Sequence, residues 1–211
     1  MSVDYVIQHA APTLAGIKTG NLFPCFFSSP QAMVRDLRAI NQVLVPRGLR
    51  LLPLRRDNTR VLLYLFRPAA LSRDLSRGEA RRLLRQAGYQ DLAQHACLRE
   101  LKRRLQAGGT FPHEIGLFLG YPPEDVAGFM THQGKHCKCV GCWKVYGDEA
   151  APRRQFAAYK SCTANYAAGP PGPLWRGSRW PPDCPNNDSK ILPKPTRFGR
   201  ILLFFCQPID F

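Results

Sequence analysis

Leu49-Arg-Leu-Leu-Pro-Leu-Arg-Arg-Asp-Asn-Thr-Arg-Val-Leu-Leu-Tyr-Leu-Phe66 contains two apolar runs, Leu49–Leu54 and Arg60–Phe66. Between them stand Arg55, Arg56, Asp57, Asn58 and Thr59, and Asp57-Asn58 is competent turn chemistry. Short apolar runs joined by such a turn predict a β-hairpin. Upstream, Pro30–Leu44 places Met33, Leu37, Ile40 and Leu44 on one face at helical spacing, behind a Ser28-Ser29-Pro30 start. Pro46-Arg-Gly ends that helix. Before it, Leu22–Phe27 reads as a short strand, reached from a Val3–Ala10 helix through a loop punctuated by Pro12, Gly16 and Gly20.

Downstream of the hairpin the pattern is helical. Ser76 reads as a helix start, with Leu83, Leu84 and Ala87 opposite Arg77, Arg81 and Arg85. Asp91 reads as the cap of a second helix, which runs through Leu98, Leu101 and Leu105 to Gly108-Gly109. Thr110-Phe-Pro-His-Glu predicts a third, ending at Gly120, and Pro122-Pro-Glu-Asp a fourth with acids in its first turn. Cys142–Tyr146 reads as a strand and Glu149–Tyr166 as a last helix. Strands and helices in that order predict an α+β domain: a small mixed or antiparallel sheet with several packed helices. Gly116, Gly120, Val126 and Phe129 fall where a helix-turn-helix packs its two helices. The expected domain is 1–166. Residues 167–211 are rich in Pro and Gly without sustained periodicity, which reads as a disordered tail. Read two nucleotides out of frame, the codons permitted for Gly172–Asp183 include a short apolar peptide with a stop at Pro182–Asp183. The tail therefore also reads as a frameshift product.

Thirty Lys and Arg against 15 Asp and Glu give a formal charge of +15. Such a balance attracts polyanions. Arg outnumbers Lys by 22 to 8, however, and a GC-rich genome inflates Arg on its own. The arginines also spread over amphipathic helices, so a solvated face is the first reading and a nonspecific nucleic-acid binder a secondary one. The start of the second helix of the helix-turn-helix pair carries Glu124 and Asp125, which would repel phosphate, so sequence-specific DNA binding is not expected. No apolar run reaches the roughly 20 residues of a membrane span. Met1-Ser-Val-Asp-Tyr has no basic leader, so the expectation is a cytoplasmic protein with no membrane partner.

Phe111-Pro-His-Glu-Ile-Gly-Leu-Phe-Leu-Gly-Tyr-Pro-Pro-Glu-Asp-Val-Ala-Gly-Phe, followed by Gly141-Cys-Trp-Lys-Val-Tyr-Gly-Asp, resembles domain-of-unknown-function family 3793. Ala11-Pro-Thr-Leu-Ala-Gly-Ile-Lys-Thr-Gly-Asn-Leu-Phe is similar to that family's N-terminal block. The resemblance spans roughly Asp4 to Tyr166. It implies a single-domain protein of a bacterial cytosol, and it brings no activity, cofactor or catalytic residue with it.

Three constellations are chemically eligible. Lys18, Thr19 and Asn21, between Gly16, Gly20 and a strand, could hold a small anion, although the spacing is not that of a P-loop. His113-Glu114 at a helix start invites acid–base chemistry, but Phe118 stands where a zinc protease needs its second His. The competing reading makes both residues first-turn partners of free N–H groups. His136, Cys137, Cys139 and Cys142 could ligate zinc or an iron–sulfur cluster, with Lys135 and Lys138 lowering thiol pKa values. No second Cys-x-x-Cys accompanies them, so tight metal is not expected. Cys162, on the following helix, is the one plausible distant ligand, and Cys25, Cys97, Cys184 and Cys206 read as reduced thiols. The best account is a small-ligand or protein-binding accessory domain with no preferred cofactor. A cysteine-based metal or redox protein is the alternative.

Overall fold

The computed structural model describes residues 3–57 and 60–168. Segment 169–211, and with it nearly all of the expected tail, lies outside the described residues, as do Cys184 and Cys206. The elements run α1 (Val3–Leu14), β1 (Gly20–Phe26), α2 (Pro30–Leu44), β2 (Arg50–Arg56), β3 (Arg60–Phe66), α3 (Pro68–Ser76) and α4 (Gly78–Gln86). They continue with α5 (Gln94–Ala107), α6 (Ile115–Phe118), α7 (Pro123–His132), β4 (Cys139–Val140), β5 (Lys144–Val145) and α8 (Ala150–Ala168). This is an α+β fold. No helix among the described residues is long and apolar enough to cross a membrane.

The hairpin's second strand, β3, forms the centre of a three-stranded antiparallel sheet in the order β1-β3-β2. The sheet is antiparallel throughout, which removes the mixed option. Each edge strand carries a proline, Pro24 in β1 and Pro53 in β2. Proline lacks the N–H that a central strand must donate, so it belongs at an edge and discourages a further strand from adding there. A register shift between Pro53 and Arg55 lets both Leu51 and Leu54 be buried.

The chain forms two compact units. The first runs to Ala70 and takes up α8 again from Tyr159; the second comprises Leu71 to Ala158. In the first unit one sheet face, with Phe23, Val61, Leu63 and Leu65, packs with Val6, Ile7, Ala10, Met33, Leu37 and Ile40 of α1 and α2. Helix α2 follows its sequence pattern. Ser29 Oγ accepts from Ala32 N at 3.1 Å, Pro30 occupies the first turn, and Gly48 at φ +71° ends the following 3-10 turn. Helix α1 runs past Pro12, where a loop was expected. Thr13 and Leu14 are buried, and Arg67 donates to the carbonyls of Thr13 (2.8 Å) and Leu14 (2.6 Å). A guanidinium thus satisfies a helix C-terminus that proline would otherwise weaken. Gly20 is required by close approach: an added Cβ would stand 2.5 Å from the buried Tyr64 ring.

In the second unit several sequence boundaries move. Ser76 ends α3 instead of starting the next helix, which begins at Gly78. Asp91 Oδ1 accepts from Ala93 N, but α5 starts only at Gln94. The third helix shrinks to the single turn of α6, because Pro112 through Glu114 form turns leading into it. The predicted strand Cys142–Tyr146 pairs only at Lys144–Val145, with β4 as its partner. Helices α6 and α7 do pack as the helix-turn-helix spacing requires. An added Cβ on Gly116 would lie 2.8 Å from Val126 Cγ2.

Candidate functional site

The most detailed polar construction in the second unit joins α7 to β5. Asp125 is buried, and its Oδ2 accepts the indole N–H of Trp143 at 2.7 Å. Its Oδ1 accepts the backbone N–H groups of Tyr146 (2.7 Å) and Gly147 (3.0 Å). One carboxylate therefore ties Pro-Pro-Glu-Asp-Val to Trp-Lys-Val-Tyr-Gly across about twenty residues of chain. The Tyr146 ring lies against Gly128, where an added Cβ would meet Cγ at 2.4 Å. Trp143 stacks on Tyr121 with ring centroids 4.7 Å apart and meets Phe156 edge-on at 4.5 Å. Asp125 is thus spent inside the fold, and of the two acids expected to repel phosphate only Glu124 faces solvent.

Those two sequence blocks, joined by one buried carboxylate, are the ones whose resemblance was noted above. The chain belongs to the family described as protein of unknown function, DUF3793. The match covers residues 6–169. No curated protein and no solved structure matches the chain.

Within this member of DUF3793, an open cleft of about 580 Å³ in the second unit is lined by Arg103, Arg104, Phe111, His113, Glu114 and Met130 among others. Two sequence-predicted residues, His113 and Glu114, therefore share one concavity. Glu114 is buried, and its role differs from the helix-start partner of the competing reading. Its side chain caps nothing; Oε1 accepts from Tyr89 Oη at 3.1 Å and from Arg104 at 3.3 Å. Arg104 also donates to Glu100 at 2.8 Å and lies over the Tyr89 ring at 4.5 Å. Arg103 grips Glu100 with two bonds, at 2.8 and 2.7 Å. The paired guanidinium donors, Arg103 foremost, hold the Glu100 carboxyl down to about 2. Burial, reinforced by the Glu114 charge, pushes the Tyr89 hydroxyl far up. Two arginines and two carboxylates leave this wall electrically balanced.

His113 packs edge-on against Phe129 at 5.0 Å, and burial lowers its pKa from the ordinary 6.5, with Glu114 opposing. His9, which lies between the rings of Tyr5 (4.5 Å) and Phe23 (5.8 Å) in the first unit, is lowered by burial as well. Each is therefore protonated more readily in the unfolded chain. Their contribution to stability is complete above the unfolded value of 6.5 and is lost as pH falls below it toward the folded values. Glu100 acts only in a lower window, from 4.5 downward. The urea midpoint is expected to drop between about pH 7 and pH 5, and His9→Leu with His113→Leu should flatten that drop. A midpoint that stays level across this window in the unmodified chain refutes the assignment.

The other expected sites fall elsewhere. Lys18, Thr19 and Asn21 belong to the first unit and are only 6%, 8% and 9% exposed. Asn21 Oδ1 accepts from Thr13 Oγ1 at 2.7 Å, Thr19 O accepts from Arg67 N at 3.0 Å, and Lys18 Nζ stands 5.8 Å from the Tyr159 ring centre. The Asn21 side chain ties β1 to α1. The cysteine run folds as the short hairpin β4–β5 with its approach. Cys137, Cys139 and Cys142 are half-buried free thiols, and His136 takes a left-handed φ of +58°. Burial pushes the Cys139 thiol up, with Arg153 opposing and Glu149 reinforcing, so here the sign is opposite to that expected from nearby lysines. Among the described residues no group of three or more His, Cys, Asp or Glu side chains could hold a metal ion.

Tyr89, Glu100 and Arg104 were not singled out by sequence, and Asp125 only as a first-turn acid that would repel phosphate. Arg104 is one of several basic residues on α5, and only its neighbours in space distinguish it. Asp125 fits a helix first turn so well that its inward role leaves no further trace in the sequence.

Proposed function

We propose that the protein is a ligand-binding accessory of the bacterial cytosol, acting through residues 1–166, and that its ligand enters the cleft beside His113 and Glu114. The carrying observation is the Glu114–Tyr89–Arg104 cluster, a buried carboxylate held by two donors at the wall of an open concavity. Buried polar groups converging on a cleft with apolar lining are what a small-molecule site requires. Family membership agrees with the boundaries.

The lining selects the ligand class. Phe111 and Met130 offer apolar contact, while the Arg103 fork stands 66% exposed at the rim. A small carboxylate with an apolar body fits both, its head group competing with Glu100 for Arg103. His113, kept neutral by its surroundings, adds no charge. Benzoate is the probe of choice. Titrated into the full chain under NMR observation, it should shift the Met130 methyl and the His113 ring saturably. Arg103→Ala should weaken that binding about tenfold, as loss of a charge-assisted pair does. No saturable shift, or identical binding by Arg103→Ala, counts against the reading.

A further inference from the structure

We propose that the hairpin end of the three-stranded sheet binds single-stranded nucleic acid, with Phe26 as the stacking platform and arginines as the phosphate contacts. This inference is independent of the cleft and rests on the register of the sheet. Phe26 lies opposite Arg60, and Arg55 lies opposite Leu62. Residues two apart on a strand share a face, so Phe26, Arg60 and Arg55 form a row across β1, β3 and β2 on one face. Phe26 is 42% exposed, and the Arg60 guanidinium sits over its ring at 5.1 Å. Arg56, next along β2 and opposite Val61, alternates to the other face. The acid of this region is Asp57, whose carboxylate accepts the backbone N–H of Arg60 at 2.8 Å.

The Arg60 guanidinium on the half-exposed Phe26 ring makes a flat cationic ledge. A nucleobase matches such a ledge: its plane stacks on the ring while its phosphates meet the flanking arginines. An acidic peptide would satisfy the arginines but leave the ring without use. A duplex would present stacked bases whose faces the ring cannot reach. The row holds two cations, Arg55 and Arg60, which sets its salt dependence at a slope near −1.4 for a single strand.

The test uses the full chain and fluorescein-labelled 15-nucleotide oligo(dT) and oligo(U), read by anisotropy between about 50 and 200 mM salt. Phe26→Ala should weaken binding roughly 5- to 100-fold at every salt concentration while leaving the slope unchanged, because stacking is not electrostatic. Phe26→Trp should retain binding or strengthen it. Arg55→Ala with Arg60→Ala should flatten the slope by about 1.4. A blunt duplex of equal length should bind more weakly. The contrasting pair is Arg82→Ala with Arg85→Ala on α4, which should leave both quantities near those of the unmodified chain. The proposal is overturned if neither oligonucleotide binds, if Phe26→Ala binds as well as the unmodified chain, or if the α4 pair removes the slope while the hairpin pair does not. Phe26, Arg55 and Arg60 are all at least partly exposed, so the variants should fold, and unchanged circular dichroism melts would verify this.

Discussion

Asp125→Ala is expected to destabilise the second unit by roughly 3–4 kcal/mol, the largest effect of any single side chain outside the apolar core. Three donors lose their acceptor at once: the Trp143 indole, Tyr146 N and Gly147 N. An orphaned buried donor costs about 1–3 kcal/mol, and the two backbone groups, being half-buried, recover part of this from water. Asp125→Asn should cost about half as much. Its oxygen can still accept from the backbone pair, but its amide then turns an N–H toward the indole N–H. Urea unfolding followed by far-ultraviolet circular dichroism gives the two losses, and amide exchange should quicken at Tyr146 and Gly147 in both variants. A loss under about 1 kcal/mol for the alanine variant would mean that Asp125 is not the tie between α7 and β5.

How much of this could be read from the sequence differs by element, for physical reasons. The β2–β3 hairpin and α2 were legible because each carries its own signal: two apolar runs about a turn, or one apolar face behind a capping Ser29. Helix α1 was read too short because Pro12 is a local stop, and the Arg67 that offsets it is more than fifty residues away. The start of α3 was missed because Pro68 in a first turn looks the same as Pro68 in a loop. The β4 strand has two residues, too few for any period. For the site, His113 and Glu114 were legible as residue types but not as a pair of environments. Burial of Glu114 by Tyr89 and Arg104 depends on contacts from α5 and the turn after α4, and no spacing rule joins positions 89, 104 and 114. The Lys18 loop misled in the opposite sense. Gly, Lys and Thr promise a ligand loop, yet Gly20 is needed because Tyr64 presses on it, and Lys18, Thr19 and Asn21 are buried, with Asn21 bonded to Thr13 of α1.

Removing Arg104 should be worse than removing Arg104 and the Glu114 charge together. Arg104→Ala leaves Glu114, 5% exposed at its side chain, without its guanidinium partner and with only the Tyr89 hydroxyl to donate to it. Breaking a buried pair from one side costs about 3–5 kcal/mol, and because Arg104 is itself 24% exposed the lower end applies here. The loss includes the stacking of the guanidinium over Tyr89 and its two bonds to carboxylates. Glu114→Gln alone keeps an oxygen for Tyr89 and Arg104 and should cost about 1 kcal/mol. In the double variant the buried charge is gone, so the glutamine change, unfavourable by itself, should restore roughly 1–2 kcal/mol to the Arg104→Ala background. That reversal of sign is the diagnostic. A purely packing role for Arg104 predicts that the two losses add, whereas a charge held in a low-dielectric wall predicts that the second substitution rescues the first. Urea midpoints of the four proteins at neutral pH distinguish the two cases, and additive losses would remove Glu114 from the list of charges this cleft was built to hold.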